Sequence, residues 1–341
     1  MTIIRKSVYS RAGLMGNPSD GYNGKTIAFL VRNFAAEVTL WQSPDLEVLP
    51  CKQDHSKFKG MDHSREDAKK HGYYGGVRLV RAAINKFREY TIETNAEPQK
   101  KKFNENFTIR YESTIPRQVG LAGSSAIVTA TFRALMQFYG VDINSSILAN
   151  LVLDTEKEEL RIEAGLQDRV VQAFGGMVYM DFSEEAFRTN SRRYGIYERM
   201  NPDLLPDMFL VYDVNPLKPD SGKILDTVRS KYEEGDIEVI QAMQTFADLT
   251  VQARGALESK DHKKLAKLIN SNFDLRRKIF RDELIGERNL RMIKLARECT
   301  SCAKFSGSGG AVIGIYESDG QFAELEKAFN RDGYKLVKVE K

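Results

Sequence analysis

Cysteine is nearly missing from this sequence. Three residues in 341, Cys51, Cys299 and Cys302, are too few and of the wrong parity for a disulfide framework. That scarcity points to a reducing compartment, and a cytoplasmic location is the expectation. Histidine is as sparse: His55, His63, His71 and His262 are scattered, with no two at helical ligand spacing. Neither a built-in metal site nor a Ser-His-Asp arrangement can be assembled from them. The C-x-x-C spacing at 299–302 stands alone and reads as the end of a helix. Long apolar runs are also lacking. The longest stretch free of charge, Gln118–Phe132, spans 15 residues and is rich in glycine and serine, against the ~20 apolar residues a membrane helix needs. The segment MTIIRKSVYSRAG has no apolar block of the length a secretory signal requires. Charge of one sign is absent too, since 51 basic residues face 47 acidic ones, interleaved along the chain. That balance lacks the electrostatic footprint of a nucleic-acid binder. No nucleic acid and no membrane are therefore expected as partners, and small or phosphorylated ligands are.

What is present suffices for a core: 42% of residues are hydrophobic, and the length suits two domains or one large one. The first fifty residues read as strands broken by turns, IIRKSVYSRAG and IAFLVRNFAAEVTLW on either side of GNPSDGYNGKT. Residues 51–75 read as a long polar loop. Val77, Val80, Ile84 and Phe87 recur at helical spacing, FTIRYEST reads as a strand, and helices are expected behind GLAGSSAIVTA through Tyr139, over SSILANLVLDTEKEELRI and from AGLQDRVVQAFGG. A boundary falls near 183–206. Beyond it come a strand (DMFLVYDV), amphipathic helices to about Thr300, KFSGSGGAVIGIYE, a helix and the strand YKLVKV. Few βαβ crossovers fit this order, so the fold class is α+β, antiparallel sheet layered with helices.

Three glycine-rich loops carry the chemistry. GLAGSSAIVTA (120–130) places Gly120, Gly123, Ala122 and Ala126 just where an apolar helix begins. Helix N-termini leave backbone N–H groups unsatisfied and carry roughly half a positive charge. Small residues let a phosphate reach those donors, while Ser124 and Ser125 can cap the helix, touch phosphate or ligate Mg2+. A plain serine cap with small residues packing against a neighbour gives the same pattern. GKT at 24–26 lacks P-loop spacing, because Ser19 stands five positions before Gly24. Gly307-Ser308-Gly309-Gly310 precedes a strand, which excludes a dinucleotide fingerprint. Asp168, in the glycine-bordered AGLQDRVVQAFGG, is a candidate general base or a helix-start aspartate. Arg11 beside its glycine turn could stabilise phosphoryl charge or sit as an ordinary surface arginine.

Taken in order, these pieces resemble the GHMP small-molecule kinases, the superfamily of galactokinase, homoserine kinase and mevalonate kinase. Its R-x-N/G-L-x-G, P-x-x-x-G-L-x-S-S-A, G-x-x-D and K-x-[ST]-G-[AS]-G-G segments are matched by Arg11–Gly16, Pro116–Ala126, Gly165–Asp168 and Lys304–Gly310. GNPSDGYNGKTIAFLVRNF, GYYGGVRL, STIPRQVGLAGSSAIV, AGLQDRV, KPDSGK, NFDLRR and AKFSGSGGAV further resemble the glucuronokinase branch, over nearly the whole chain. The resemblance implies a two-domain fold. Residues 1–190 would form the ribosomal-protein-S5-like α/β sandwich with the ATP and phosphate loop, and 191–341 a ferredoxin-like domain completing the sugar site. It implies ATP-dependent phosphorylation of D-glucuronate at the anomeric hydroxyl, feeding UDP-glucuronate formation. Asp168 and Arg11 would be catalytic. Gly120, Leu121, Ala122, Gly123, Ser124 and Ser125 would cradle phosphates, and Ser124 with a glutamate, Glu156 or Glu158, would hold Mg2+. Asn17, Asp20, Tyr74 and Gly309 would contact the sugar, and Arg117, Arg169 or Arg78 its carboxylate. Two departures from the wider superfamily, Asn17-Pro18-Ser19-Asp20 in place of E-H-x-D and the extra Ala122, also resemble that branch. The alternatives are an anomeric kinase for galacturonate, galactose or a heptose, and a non-catalytic ligand sensor on the same fold.

Overall fold

The computed structural model describes residues 3–51, 54, 61, 75–215 and 228–341. Tyr74, the KPDSGK segment and, apart from Cys51, Asp54 and Met61, the 51–72 loop lie outside these. The strands are β1 (Ile3–Met15), β2 (Lys25–Gln42), β3 (Glu47–Leu49), β4 (Phe107–Ser113), β5 (Met177–Asp181), β6 (Ile196–Met200), β7 (Met208–Asp213), β8 (Lys304–Phe305), β9 (Ala311–Ile315) and β10 (Tyr334–Lys338). The main helices are α1 (Val77–Glu93), α2 (Gly123–Tyr139), α3 (Ser145–Asp154), α4 (Leu166–Phe174), α5 (Glu184–Thr189), α6 (Ile237–Glu258), α7 (His262–Ile285), α8 (Glu287–Cys299) and α9 (Asp319–Arg331).

The chain divides into two compact units, one of Met1–Ser10, Phe34–Ile115 and Ala122–Ala173, the other of Arg11–Asn33, Pro116–Leu121 and Phe174–Lys341. β1 and β2, which pair, contribute residues to both. In the first unit the far half of β2 pairs antiparallel with β4, Val38 opposite Tyr111, and β3 joins β4 in parallel. Helices α1, α2 and α3 pack together here. Helix α2 is apolar on nearly every side, so it is a core helix. Phe87, Phe107, Phe132, Phe138 and Tyr139 form its aromatic contacts, with Phe138 and Tyr139 rings 4.9 Å apart and near-perpendicular. At its end Gly140 takes the left-handed conformation (φ +72°) and donates to Met136 O.

In the second unit the near half of β2 pairs with β5, and β5 with β6. A separate antiparallel sheet runs β10-β7-β9-β8. Its inner residues Phe209, Val211, Phe305 and Val312 meet Phe246, Phe273, Met292 and Phe329 from α6 to α9 in one apolar core. These largely antiparallel sheets layered with amphipathic helices bear out the α+β expectation. β5, β6 and the short helix α5 are elements the sequence pattern did not yield. β5 is buried along almost its whole length and so has no alternation to detect. β6 reads as charged because most of its side chains are exposed or half-exposed.

Candidate active site

Helices α3, α5, α6, α7 and α9 each begin on an Asn, Ser or Asp side chain that accepts an amide of the first turn. Helix α2 does not. The residue before it, Ala122, is left-handed (φ +61°) and no side chain caps the first turn. Ser125 Oγ instead donates back to Ala122 O at 3.2 Å, and Ser124 Oγ turns to Glu156. The amides of Gly123, Ser124 and Ser125 have no acceptor among the described residues. Three N–H donors at the positive end of a buried helix dipole are an anion site in waiting. A serine cap, the plain reading of this stretch, is not what the structure holds.

The Ala122 turn is fixed from behind. Gln172 on α4, fully buried, donates its amide to Ala122 O (3.0 Å) and Tyr9 O (3.1 Å). Helix α3 ends in one π-type turn over Thr155–Glu159, a distortion frequent at functional sites. It sends Glu156 inward and Glu158 outward. Glu156, 0% exposed, accepts from Ser124 Oγ (2.6 Å) and from Arg169 Nε (2.6 Å). Glu158 lies at the surface on Lys86 Nζ (2.6 Å). Of the two glutamates open on sequence, Glu156 is the one beside Ser124. Arg169 also contacts Asp168 (3.2 Å) and donates to Gly165 O (2.9 Å), so its guanidinium is already engaged. Asp168 stands in the first turn of α4.

Most of the other predicted residues lie in the second unit. Arg11, buried on β1, donates from Nη1 to Gly120 O (2.8 Å) and Ser306 O (3.1 Å). Gly120 is left-handed (φ +69°), and a Cβ there would lie 2.8 Å from Gly309 O, so glycine is required for the approach. Asn17 donates to Gly307 O (3.4 Å) and accepts from Lys304 Nζ (2.8 Å). Lys304 also donates to Gly13 O and Phe305 O, each at 2.7 Å. Three oxygen acceptors match the three donors of an ammonium. Burial, with Arg276 and Arg11 adding to it, holds the Lys304 pKa well below its ordinary 10.5. Asp20 sits half-buried in the turn Ser19–Gly21. Arg117 is exposed, and Arg78 is half-buried in the first turn of α1.

Beside Gln172, two residues of the NFDLRR stretch were given no role by the sequence reading. Asn272 Oδ1 accepts from Gly16 N (2.8 Å), and one turn later Arg276 donates to Gly307 O and Ser308 O, each at 3.0 Å. The signal was available: an amide and a guanidinium four residues apart interrupt the buried face of α7, Leu265, Ile269, Phe273 and Phe280. Burial pushes the Arg276 pKa down to about 10, with Asp20 opposing.

For a divalent cation the donors that fit are Ser124 Oγ and Glu156, hard oxygens held together at the uncapped end of α2. No group of three or more His, Cys, Asp or Glu suited to a metal occurs among the described residues. A magnesium ion here would complete its shell with nucleotide phosphates and water, as that ion commonly does. Among the described residues no helix is long and apolar enough to cross a membrane.

The chain is similar to known proteins. The models of the GHMP kinases N terminal domain and the GHMP kinases C terminal match residues 78–176 and 253–335. "Glucuronokinase 1" of Arabidopsis thaliana is 42% identical over 340 residues, covering 98% of this chain and 91% of that protein. Among solved structures, Lactococcus lactis galactokinase complexed with galactose superposes with a TM-score of 0.76 at 13% identity, over 99% of this chain and 93% of that one. The Methanococcus jannaschii mevalonate kinase gives 0.69 at 18%, over 100% and 98%. With both family models matched, a relative of this identity along nearly its full length and the two-domain kinase fold in place, the chain belongs to the GHMP kinases and is a phosphotransferase.

Proposed function

We propose that the chain transfers the γ-phosphoryl group of ATP to the anomeric hydroxyl of D-glucuronate, giving D-glucuronate 1-phosphate and ADP. The observation that carries this reading is the 42% identity to an Arabidopsis glucuronokinase across 98% of the chain. In the reaction the C1 oxygen forms a bond to the γ-phosphorus, the bond from phosphorus to the β,γ-bridging oxygen breaks, and the hydroxyl proton passes to a carboxylate. Asp168, with Arg169 at 3.2 Å, is the carboxylate assigned to that proton. The free amides of Gly123, Ser124 and Ser125 hold phosphate oxygens. Arg11, fixed by two carbonyls, stabilises the charge that spreads over the transferred group. Bound Mg2+, held by Ser124 and Glu156, supplies neutralisation of phosphate charge. Asn17, Asp20, Tyr74 and Gly309 are the residues we assign to sugar hydroxyls. Arg117, Arg169 or Arg78 is the arginine we assign to the sugar carboxylate. Residues 1–190 and 191–341 remain the proposed domain division, the reaction is placed in the cytoplasm, and neither nucleic acid nor membrane takes part.

The test is ATP consumption by the purified protein with Mg2+ against glucuronate, galacturonate, glucose and galactose. Turnover restricted to glucuronate is expected. Turnover on a neutral sugar, or ATP binding with silence on every sugar, would overturn the assignment.

A further inference from the structure

The loop at 306–309 is held by its carbonyls, and that fixes where its amides point. Ser306 O accepts from Arg11 Nη1 and from Gly13 N (2.7 Å). Gly307 O and Ser308 O are both taken by the guanidinium of Arg276, one nitrogen each, at 3.0 Å. In a trans peptide the C=O of one residue and the N–H of the next point in opposite directions. The N–H groups of Ser308 and Gly309 are therefore turned together away from Arg276, and that of Gly307 away from Arg11. None of the three donates to any acceptor among the described residues. The next amide, Gly310 N, is by contrast satisfied by Asn289 Oδ1 at 2.8 Å.

Charge behind the loop has one sign. Arg276 is 6% exposed, lies over Phe280 and Phe305, and its Nε is buried without a partner. Lys304 is 2% exposed, and its three bonds go to neutral oxygens. Two buried cations bonded only to neutral acceptors carry a desolvation cost of several kcal/mol each. A nearby anion reduces that cost, and the acid that acts on Arg276, Asp20, does so only at a distance. Successive backbone N–H groups in a concave turn are a known way of holding an anion.

We infer that Gly307, Ser308 and Gly309 form an amide nest for a substrate oxyanion, and that Arg276 is the positioning residue that aims it. The inference rests on the sugar-acid kinase reading for its ligand. The oxyanion is the carboxylate of the sugar acid or the phosphoryl group in transit, and both present the same acceptor oxygens to the nest. Arg276 acts through the loop: its fork spans two carbonyls at once, which the single point charge of a lysine cannot reproduce.

Calorimetric titration of the full chain with glucuronate and, separately, with inorganic phosphate tests this without requiring turnover, so failure of the kinase assay and failure of the nest are read independently. Arg276→Lys is expected to weaken one of the two by about ten- to hundredfold, the worth of one hydrogen bond to a charged group. Loss for glucuronate with phosphate unchanged identifies the carboxylate, and in turnover it appears as a raised KM for glucuronate at unchanged kcat and unchanged KM for ATP. Loss for phosphate with glucuronate unchanged identifies the phosphoryl group, and appears in kcat. Arg277→Ala, altering the neighbouring exposed arginine that pairs with Asp282, should move neither. Should Arg276→Lys fail to fold, Ser308→Pro removes one donor at an exposed position with the clamp intact and is read by the same titrations. Both affinities within twofold of the parent in a folded variant would overturn the proposal.

Discussion

Removing Glu156 tests the ion pair on which the inner end of the phosphate loop rests. Its carboxylate is fully buried and accepts from Ser124 Oγ and Arg169 Nε, each at 2.6 Å, with a second guanidinium nitrogen also in contact. Breaking a buried pair by deleting one partner costs about 3–5 kcal/mol, because the other charge stays buried. Arg169 keeps Asp168 at 3.2 Å and Gly165 O at 2.9 Å, so Glu156→Ala falls at the low end, about 3 kcal/mol. The freed Ser124 hydroxyl adds about 1 kcal/mol. Urea unfolding of Glu156→Gln, Arg169→Met and the double variant separates the pair from its surroundings. The double variant should be more stable than the sum of the singles by about 2–3 kcal/mol, since neither charge is then left alone. Additivity within about 0.5 kcal/mol would refute the pairing.

Asp168→Asn should lower turnover by about 10²- to 10⁴-fold, the usual worth of a general base, while ATP affinity measured by titration is kept. Unimpaired turnover removes Asp168 from the mechanism. Gly120→Ala should destabilise more than Gly235→Ala: both glycines are left-handed, at a cost of about 1–2 kcal/mol for any other residue, but only at Gly120 would the new Cβ meet a neighbour, Gly309 O at 2.8 Å. Equal losses on thermal denaturation would show that the approach of the two loops relaxes freely. Burial alone would raise the Asp54 pKa, yet hydrogen bonds from Tyr111 (2.5 Å), Gly76 N (2.9 Å) and Cys51 N (3.1 Å) win and hold it below 3.8. A depressed carboxylate stabilises the fold above its unfolded pKa and loses that contribution as pH falls through the folded one. Tyr111→Phe should therefore cost about 1–2 kcal/mol at pH 7, and the gap should narrow in urea titrations near pH 3. A gap that widens on acidification contradicts the sign.

Legibility in the sequence followed the physics of each element. Helix α2 was readable because glycine and serine before an apolar run fix both its start and its burial, and α1 because Val77, Val80, Ile84 and Phe87 keep one face. β5, buried on both faces, and β6, mostly exposed, carry no alternation, and pairing alone makes them strands. The helix expected through Ile162 ends at Asp154 and then loosens into a π-type turn. Nothing local announces that turn, because its cause is distant: the attraction of Glu156 to Arg169, thirteen residues on.

The site divides along the same line. Residues acting through their own backbone, Gly120, Ala122, Gly123 and Gly309, were legible because only small residues permit close approach, and that requirement is written where it acts. Residues acting through another element were not. Asn272, Arg276 and Gln172 each hold a loop far away in sequence by its carbonyls or amides, and a clamp leaves no mark on the segment it holds. What it does leave is a polar side chain on its own helix where packing calls for an apolar one. Burial without a bonded carboxylate turns such a residue from a packing oddity into a functional one: Arg276 and Lys304 keep their charges out of water beside a loop with three free amides. That charge stands where a bound anion would relieve it.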